Sequence, residues 1–335
     1  MPRRSGVSSR SLMMWESLIT ERIPGSSYTR VDCSPPDIRI YLWLDVKNLC
    51  MPRTGVSSMF FHEYALNSIF SGASACGLDT LEFWLETPSF WTTGRRVEQL
   101  EAEMNKHPSL LPITIHAPTL DLNPISINPE VAAVSIESAC SAIMTAEHLN
   151  ARVVTIHPGR RTAKRPPSMA DMHRFALFME AVEAVSRGLS VAVAIENMEP
   201  RVNALLTTPE AVAGVLDEYP HLSFTFDFAH ASMGGDLVVE EFIRLCSDRI
   251  VNVHASLGSS TLMHSPIGQT GTMDELAALL VSCGYDGPVI FEIEDLRLPN
   301  RPGYQEKCLL LSEEVAAFWN AWNKQLHLSF LNSIE

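Results

Sequence analysis

Six short apolar runs in this chain each end on a side chain that can bind a metal ion. The run at residues 191–195 has no polar alternation, which is typical of a strand buried on both faces, and it ends on Glu196. Five further runs follow the same pattern and end on His116, His157, Asp227, His254 and Glu292. Packing of an apolar core does not explain a carboxylate or imidazole at the end of such a strand. The repetition therefore predicts a metal site.

From residue 51 onwards, the chain alternates predicted strands with predicted helices. Asn128 before Pro129 is a good helix start, Gly188 is a typical helix stop, and Thr272 has capping-box spacing with Glu275. The first four strands are predicted at residues 55–61, 80–84, 113–116 and 153–157, and the last four end at Glu196, Asp227, His254 and Glu292. Eight strands and about eight helices in about 285 residues predict an α/β chain with a single (β/α)8 barrel over residues 51–335.

A doubly wound open sheet is the alternative to the barrel. That fold should place a glycine-rich phosphate-binding turn after the first strand, but residues 60–68 contain no glycine. The barrel also explains the position of the polar residues, because active sites of such barrels lie at the carboxyl ends of the strands. We therefore expect residues almost two hundred positions apart to meet at one mouth.

Residues 1–50 differ in composition from the rest of the chain. They are rich in Arg and Ser, and the sequence CSPPD at residues 33–37 interrupts regular structure. We expect an N-terminal extension that is disordered or weakly docked, or that is not part of the native domain. Met51 is a candidate translation start, and an N-terminal mass measurement that finds Met1 in the native protein would contradict it.

Charge and cysteine usage narrow the classes of partner and compartment. The formal net charge of -14 argues against affinity for a nucleic-acid backbone through bulk electrostatics, although a local basic cleft remains compatible with it. The seven cysteines are scattered without paired spacing, which favours reduced thiols and a cytoplasmic location. No apolar run approaches the length that crosses a bilayer, so we expect no membrane partner. The sequence carries no signal for the oligomeric state.

Three carboxylates and one imidazole from the last four strands form the principal predicted metal site. Glu196, Asp227, His254 and Glu292 suit a divalent ion such as Mn²⁺, Zn²⁺, Co²⁺ or Mg²⁺. A single histidine at a strand end is more often a hydrogen-bonded structural residue than a ligand, but six coincidences at equivalent positions reverse that expectation. Four further histidines extend the prediction to between one and three ions. His116 and His157 are candidates for a second ion that shares Glu196, and His230 and His264 for a third ion or a substrate contact.

Three other residues are candidate substrate contacts. Glu82 lies in a predicted strand and could face the barrel interior, where a salt bridge to a neighbouring strand is an equally good interpretation. Asn197 directly follows a predicted ligand and could support it. Arg160 belongs to a basic loop after the fourth strand, which could bind a substrate phosphate or simply be solvated.

The ordered motifs resemble the xylose-isomerase-like TIM barrels, a superfamily of sugar isomerases and epimerases that also contains endonuclease-IV-type abasic-site nucleases. The resemblance covers about residues 55–295 and rests on IHAP, TIHPG, IENM, TFDFAH, VNVHAS, HSPIGQTG and IFEIE, in that order. In the isomerase pattern, it implies that Glu196, Asp227, His254 and Glu292 bind one metal ion. Glu196 and Glu292 are then also the acid and base, and His230 touches the substrate. The epimerase branch usually has an arginine shortly after the strand-7 histidine, but residues 255–261 contain none.

The nuclease pattern implies three zinc ions bound by the same strand-end residues. It assigns His116, His157 and Glu196 to the first zinc, Glu196, Asp227, His254 and Glu292 to the second, and His230 with His264 to the third. The third site also needs an aspartate two residues before the loop histidine, and that position is Leu262.

Two mechanisms and one non-catalytic alternative compete. An isomerase or epimerase would remove a proton beside the carbonyl of a small sugar or sugar phosphate and hold the enediolate on the metal. A zinc phosphodiesterase would generate hydroxide at a bridged ion pair. The two extra histidines favour the hydrolase, while Leu262 and the acidic composition favour the isomerase, which we prefer. A barrel that only binds a ligand should have lost part of the ligand set, and the first two sites are complete.

Overall fold

Eight parallel strands close into a barrel in the order in which they occur in the chain. The computed structural model describes residues 51–258, 263–268, 270–295, 298 and 301–332, and the expectation for residues 1–50 lies outside this range. Strand β1 pairs with both β2 and β8, so the predicted (β/α)8 barrel is confirmed. Strands β1 to β8 span Arg53–Ser57, Thr80–Trp84, Thr114–His116, Val153–Ile156, Ala192–Glu196, Ser223–Asp227, Ile250–Ala255 and Pro288–Phe291.

Helices connect the strands and form the outer layer. Apolar side chains from helices and strands make one contiguous core between the two layers. The described α-helices, numbered α1 to α10, span Leu66–Ala75, Pro88–Thr92, Val97–Met104, Pro129–His148, Met169–Ser186, Pro209–Glu218, Phe228–Ser232, Asp236–Cys246, Gly271–Ser282 and Tyr304–Asn332. None of these helices is both long enough and apolar enough to cross a membrane.

Local capping chemistry explains where several helices start. The side chain of Asn128 accepts a hydrogen bond from the backbone nitrogen of Glu130 at 3.0 Å, as predicted for the start of α4. The capping box predicted at Thr272 was wrong, because α9 already begins at Gly271. The capping box lies instead at the start of α5, where Asp171 Oδ2 accepts from the backbone nitrogen of Ser168 at 2.8 Å.

The first strand is shorter than predicted. We expected a strand at residues 55–61, but Ser58–Phe61 is a 3₁₀ helix that follows β1. A continuous apolar run does not distinguish a buried strand from a buried turn of helix. The turn buries Phe60 and Phe61 in the core while the backbone leaves the barrel wall.

Polar side chains cross the barrel interior beneath the carboxyl ends of the strands. Thr155 Oγ1 on β4 lies 2.8 Å from Thr225 Oγ1 on β6, and these strands are not neighbours. The side-chain nitrogen of Asn252 on β7 donates to Glu82 on β2 at 2.8 Å. Since both pairs join strands that do not pair with each other, they lie inside the barrel. This part of the interior is a hydrogen-bonded network of buried residues, where barrels of this class are usually filled by branched apolar side chains.

Gly55 allows β1 to pack closely against both neighbouring strands, and Gly55→Ala should destabilise the barrel. An added Cβ would lie 2.6 Å from Thr80 Cγ2 and 2.7 Å from Ile290 Cδ1. We expect a loss of about 1–3 kcal/mol in the free energy of unfolding, measured by urea denaturation. The control is Gly214→Ala in α6, where nothing lies within 4 Å of the added atom and stability should rise by up to about 1 kcal/mol. Equal effects of the two changes would contradict the steric argument.

Candidate metal centre

The carboxyl ends of the last four strands bring four predicted ligands together. We call Glu196, Asp227, His254 and Glu292 the primary cluster; all four are buried, and each offers one ligand atom within 4.8 Å of the others. His254 Nδ1 lies 2.9 Å from Glu292 Oε2, 3.6 Å from Glu196 Oε1 and 3.7 Å from Asp227 Oδ2. Asp227 and His254 are register partners on β6 and β7, so the strand pairing itself places them side by side.

Two histidines from β3 and the loop after β4 approach the other face of the Glu196 carboxylate. His116 Nε2 and His157 Nε2 lie 3.4 Å and 3.0 Å from Glu196 Oε2. His116 Nδ1 is 2.8 Å from the backbone oxygen of Ala117 and so donates to it, which leaves Nε2 free to act as a ligand. The Glu196 oxygens therefore face two different groups of ligands, as a bridging carboxylate would require.

A third group combines the two remaining predicted histidines with Asp227. Asp227, His230 and His264 satisfy the same distance criterion as the primary cluster. Asp227 ends β6 and caps the five-residue helix α7, and its Oδ1 accepts from the backbone nitrogen of His230 at 2.7 Å. His230 Nδ1 donates to the backbone oxygen of Asn197 at 2.9 Å. Leu262, which stands where the nuclease pattern needs an aspartate, lies outside the described residues.

The loop that carries His264 is fastened to the last helix. His264 has a left-handed backbone with φ of 53°, and its backbone oxygen accepts from Glu294 N at 2.8 Å. The buried carboxylate of Glu314 on α10 accepts from the backbone nitrogens of Ile267 at 3.0 Å and Gly268 at 2.6 Å. Two charge-assisted hydrogen bonds thus hold this loop against α10.

Several buried polar atoms of these residues have no hydrogen-bond partner among the described residues, which indicates whether the residues suit a cation. Within the described chain, no hydrogen bond reaches Glu196 Oε2, Asp227 Oδ2, His254 Nδ1 or Glu292 Oε2. Leaving such atoms unpaired in a low-dielectric interior costs free energy. A divalent cation in the primary cluster would satisfy Asp227 Oδ2, His254 Nδ1 and Glu292 Oε2, whereas Glu196 Oε2 faces His116 and His157. A set of three carboxylates and one imidazole is the chemistry that Mn²⁺, Zn²⁺, Co²⁺ or Mg²⁺ accepts. The residues present fit a divalent metal ion.

The electrostatics of the centre favour positive charge beside the carboxylates. Burial disfavours protonation of His116, but the neighbouring carboxylates of Glu196 and Glu82 outweigh burial and raise its pKa to about 9. Burial likewise favours the neutral form of Glu196. The charges of His157 and His254 overcome that effect and hold the pKa of Glu196 well below its usual value.

Glu82 lies below the primary cluster and contacts the opposite edge of one of its ligands. Its two carboxylate oxygens lie 3.1 and 3.2 Å from His254 Nε2. The carboxylate also accepts from Thr114 Oγ1 at 3.2 Å and from Asn252 Nδ2 at 2.8 Å. Because an ionised carboxylate only accepts, His254 Nε2 carries the proton and Nδ1 is directed at the other carboxylates. Glu82 does not line either cavity at this end of the barrel.

Asn197 joins the ends of two ligand-bearing strands. Its side-chain nitrogen donates to the backbone oxygen of Asp227 at 2.9 Å, and its side-chain oxygen accepts from the backbone nitrogen of Asp227 at 2.8 Å. This two-way contact fixes the backbone of Asp227 relative to β5. Asn197 is buried, and both polar atoms of its side chain have a partner within the protein.

Two cavities open at this end of the barrel. The first, which we call the metal cavity, has a volume of about 260 Å³ and is lined by members of all three groups, including Glu196, His230 and Glu292. The second, the side cavity, has a volume of about 560 Å³ and lies between the loops that follow β3, β4 and β5. Arg160 lines both cavities, together with Glu199 and Arg201, which the sequence analysis did not single out as cavity residues.

A fourth acidic and histidine group has a different explanation. His62, Glu63 and Asp295 also come within metal-binding distance of one another. The buried ammonium of Lys307 lies 2.6 Å from Glu63 Oε1 and 2.8 Å from Asp295 Oδ2. The lysine pairs with both carboxylates and offsets one of their two charges, so this group is an ion-pair network that anchors α10.

The architecture and the centre together define a (β/α)8 barrel with candidate metal ligands at the carboxyl ends of its strands. The chain belongs to the xylose isomerase-like TIM barrel family, whose match extends over residues 70–314. This confirms the resemblance stated from the sequence motifs.

Two curated proteins are similar in sequence to this chain. An uncharacterised protein of Methanocaldococcus jannaschii is 29% identical over 259 residues, which cover 77% of this chain and 94% of that protein. A probable endonuclease 4 of a Geobacillus species is 26% identical over 217 residues, covering 58% of this chain and 71% of that protein.

Solved structures of sugar epimerases share the fold. The structure of an L-ribulose 3-epimerase matches with a TM-score of 0.68 and 18% identity, covering 84% of this chain and 98% of that chain. A D-tagatose 3-epimerase-like protein matches with a TM-score of 0.65 and 22% identity, covering 82% of this chain and 99% of that chain.

Replacing Glu82 by glutamine should weaken metal binding while preserving the shape of the network. The amide lacks the charge that orients and polarises His254, and loss of such a partner typically lowers metal affinity by about 10–100-fold. Isothermal titration of metal-free protein with Mn²⁺ measures this change. The control is Glu101→Gln on the exposed face of α3, which removes the same charge far from the centre. Unchanged Mn²⁺ affinity in Glu82→Gln would show that His254 does not need this partner.

Proposed function

We propose that this protein is a divalent-metal-dependent isomerase or epimerase of sugars or sugar phosphates. The observation that carries the proposal is the convergence of Glu196 and Glu292 on one ligand cluster at the wall of a cavity. This arrangement supplies two carboxylates and one cation site to the same small substrate. The shared fold with an L-ribulose 3-epimerase and a D-tagatose 3-epimerase-like protein supports this class of reaction.

The proposed reaction uses two carboxylates for proton transfer. Glu196, Asp227, His254 and Glu292 would hold the divalent ion, which supplies Lewis-acid polarisation of the substrate carbonyl when bound. One glutamate removes the proton from the carbon beside the carbonyl, and the other returns a proton to the neighbouring position or to the opposite face. Burial favours the neutral form of Glu196, but the charges of nearby histidines outweigh burial and hold its pKa well below its usual value, so this carboxylate is ionised.

The surrounding residues limit solvent access and hold the acid–base pair in position. Glu196 is almost fully buried at the end of β5, and Glu292 is buried directly after β8. Rigid strands position catalytic groups more accurately than loops do. His230 lines the metal cavity with its Nδ1 already hydrogen-bonded, so it can present only its other nitrogen to a substrate hydroxyl.

A zinc-dependent phosphodiesterase of the abasic-site endonuclease type is the second candidate. The approach of His116 and His157 to the second oxygen of Glu196 favours it, because a bridged ion pair suits hydroxide attack on a phosphodiester. The probable endonuclease 4 relative points in the same direction. The nuclease pattern needs an aspartate at position 262, where the sequence has a leucine, and this difference and the net charge of -14 weigh against it. A barrel without turnover is least favoured, because the ligand set of the primary cluster is complete.

Metal content and substrate choice separate the two candidates. We expect one Mn²⁺ or Mg²⁺ per chain by elemental analysis of protein purified without added metal. We also expect incorporation of solvent deuterium into members of a ketose panel. Two or three zinc ions per chain, with cleavage of a duplex that contains an abasic site, would instead support the phosphodiesterase.

Glu196→Gln should lower turnover by about 10²–10⁴-fold, because it removes both a ligand charge and a proton-transfer group. The matched control is again Glu101→Gln, which should retain the wild-type rate. Circular dichroism and the thermal unfolding midpoint report whether the fold survives. Wild-type turnover in a folded Glu196→Gln protein would remove Glu196 from the active site.

His157→Ala distinguishes the two mechanisms within one variant. Under the isomerase reaction, the primary cluster keeps its four ligands, so turnover should fall by about tenfold or less. Under the phosphodiesterase reaction, the second ion loses a ligand, and activity should fall by about 10²-fold or more. Rates of deuterium incorporation and of abasic-site cleavage, measured on the same preparation, decide between them.

A further inference from the structure

The side cavity adjoins the candidate metal centre and is the larger of the two spaces. It has about 560 Å³ against about 260 Å³ for the metal cavity, and the two share wall residues that include His157, Arg160 and Met198. Pockets that enclose small ligands usually have about 300–1,000 Å³. The metal cavity alone falls below this range, so a substrate held at the metal centre has room to extend into the side cavity.

Two cations at the side cavity lack protein partners. Arg160 and Lys164 both line it and are exposed. Within the described part of the chain, neither side chain makes a hydrogen bond or an ion pair. The deeper wall includes apolar residues such as Ile156 and Phe178, and low-dielectric walls strengthen the field of nearby charges. In a chain with a net charge of -14, two unpaired cations in one cavity indicate an anionic occupant.

The backbone beneath Arg160 is held in place by its neighbours. The buried side chain of Asn123 donates to the Arg160 backbone oxygen at 2.8 Å and accepts from its backbone nitrogen at 3.0 Å. An antiparallel bridge joins Arg160 to Ala204, and the backbone nitrogen of Arg161 donates to the Asn203 oxygen at 2.8 Å. The loops after β4 and β5 therefore support each other. A guanidinium that starts from a fixed backbone loses less conformational freedom on binding.

The acidic side chain in the same wall is already neutralised. Glu199 lines both cavities, but Arg201 Nε lies 2.6 Å from its Oε1. This ion pair removes the main local charge that would repel an anion. Arg160 and Lys164 are left as the charged groups of the side cavity that have no partner among the described residues.

We propose that the side cavity binds a phosphate ester group of the substrate through Arg160 and Lys164. This inference rests on the proposed function, which places the reacting carbons at the primary cluster. It narrows the substrate class from sugars in general to phosphorylated sugars. A guanidinium matches the geometry of phosphate oxygens, and an ammonium adds a second charge without a geometric requirement.

A matched pair of ketoses tests the proposal on the full chain loaded with Mn²⁺. Isothermal titration should show that D-fructose 6-phosphate binds at least about tenfold more tightly than D-fructose. The double variant Arg160→Gln with Lys164→Gln should abolish that difference. Arg165→Gln is the matched control, because Arg165 carries the same charge in the same loop but does not line the side cavity. It should retain the difference.

Four results would overturn the inference, and they separate its failure from that of the proposed function. Equal affinity for the two ketoses, with binding that requires Mn²⁺, overturns the phosphate site alone. A preference for the phosphate ester that persists in the double variant also overturns it alone, because the phosphate then binds elsewhere, including at the metal. If D-fructose 6-phosphate does not bind at all, the phosphate site alone is again overturned. Binding of both ketoses without any dependence on Mn²⁺ overturns the proposed function and this inference with it.

Discussion

Unpaired buried carboxylates are the constraint around which this molecule is organised. Glu196, Asp227 and Glu292 each place an oxygen at the barrel mouth that has no hydrogen-bond partner among the residues that the structure describes. Isolated charges in such a position are costly, so the protein must supply positive charge there. The neighbouring histidines would do so in part when protonated, and a divalent cation would do so more completely. The same buried carboxylates therefore cost free energy in the folded state and provide ligands for a cation.

Most of the fold and the composition of the centre could be predicted because both depend on repetition. Each strand is a short apolar run, and parallel strands in a closed barrel must deliver their last residues to one rim. The pairing of Asp227 with His254 follows from this geometry. The residue types at strand ends therefore predicted the members of the first two groups of candidate ligands, whereas the place of Asp227 in the third group was not predicted. The family match agrees with the motifs.

The remaining features depend on contacts between distant residues, which no local pattern encodes. In the sequence, Glu82 is only a polar interruption in an apolar strand. His254, which its carboxylate contacts, is 172 positions away. The five-residue helix α7 is too short to show a periodic pattern, and the turn at Ser58–Phe61 is as apolar as a strand. The side cavity arises from loops that bridge Arg160 to Ala204, so its existence required coordinates.

The attachment of the His264 loop to Glu314 has a consequence for how this barrel can diverge. The loop is tethered by one carboxylate on the terminal helix α10, which contributes no side chain to either cavity. Substitutions at or beside that tether can shift the rim that carries the candidate ligands, without changing any residue that lines either cavity. Directed evolution libraries confined to cavity residues would overlook this remote source of altered selectivity.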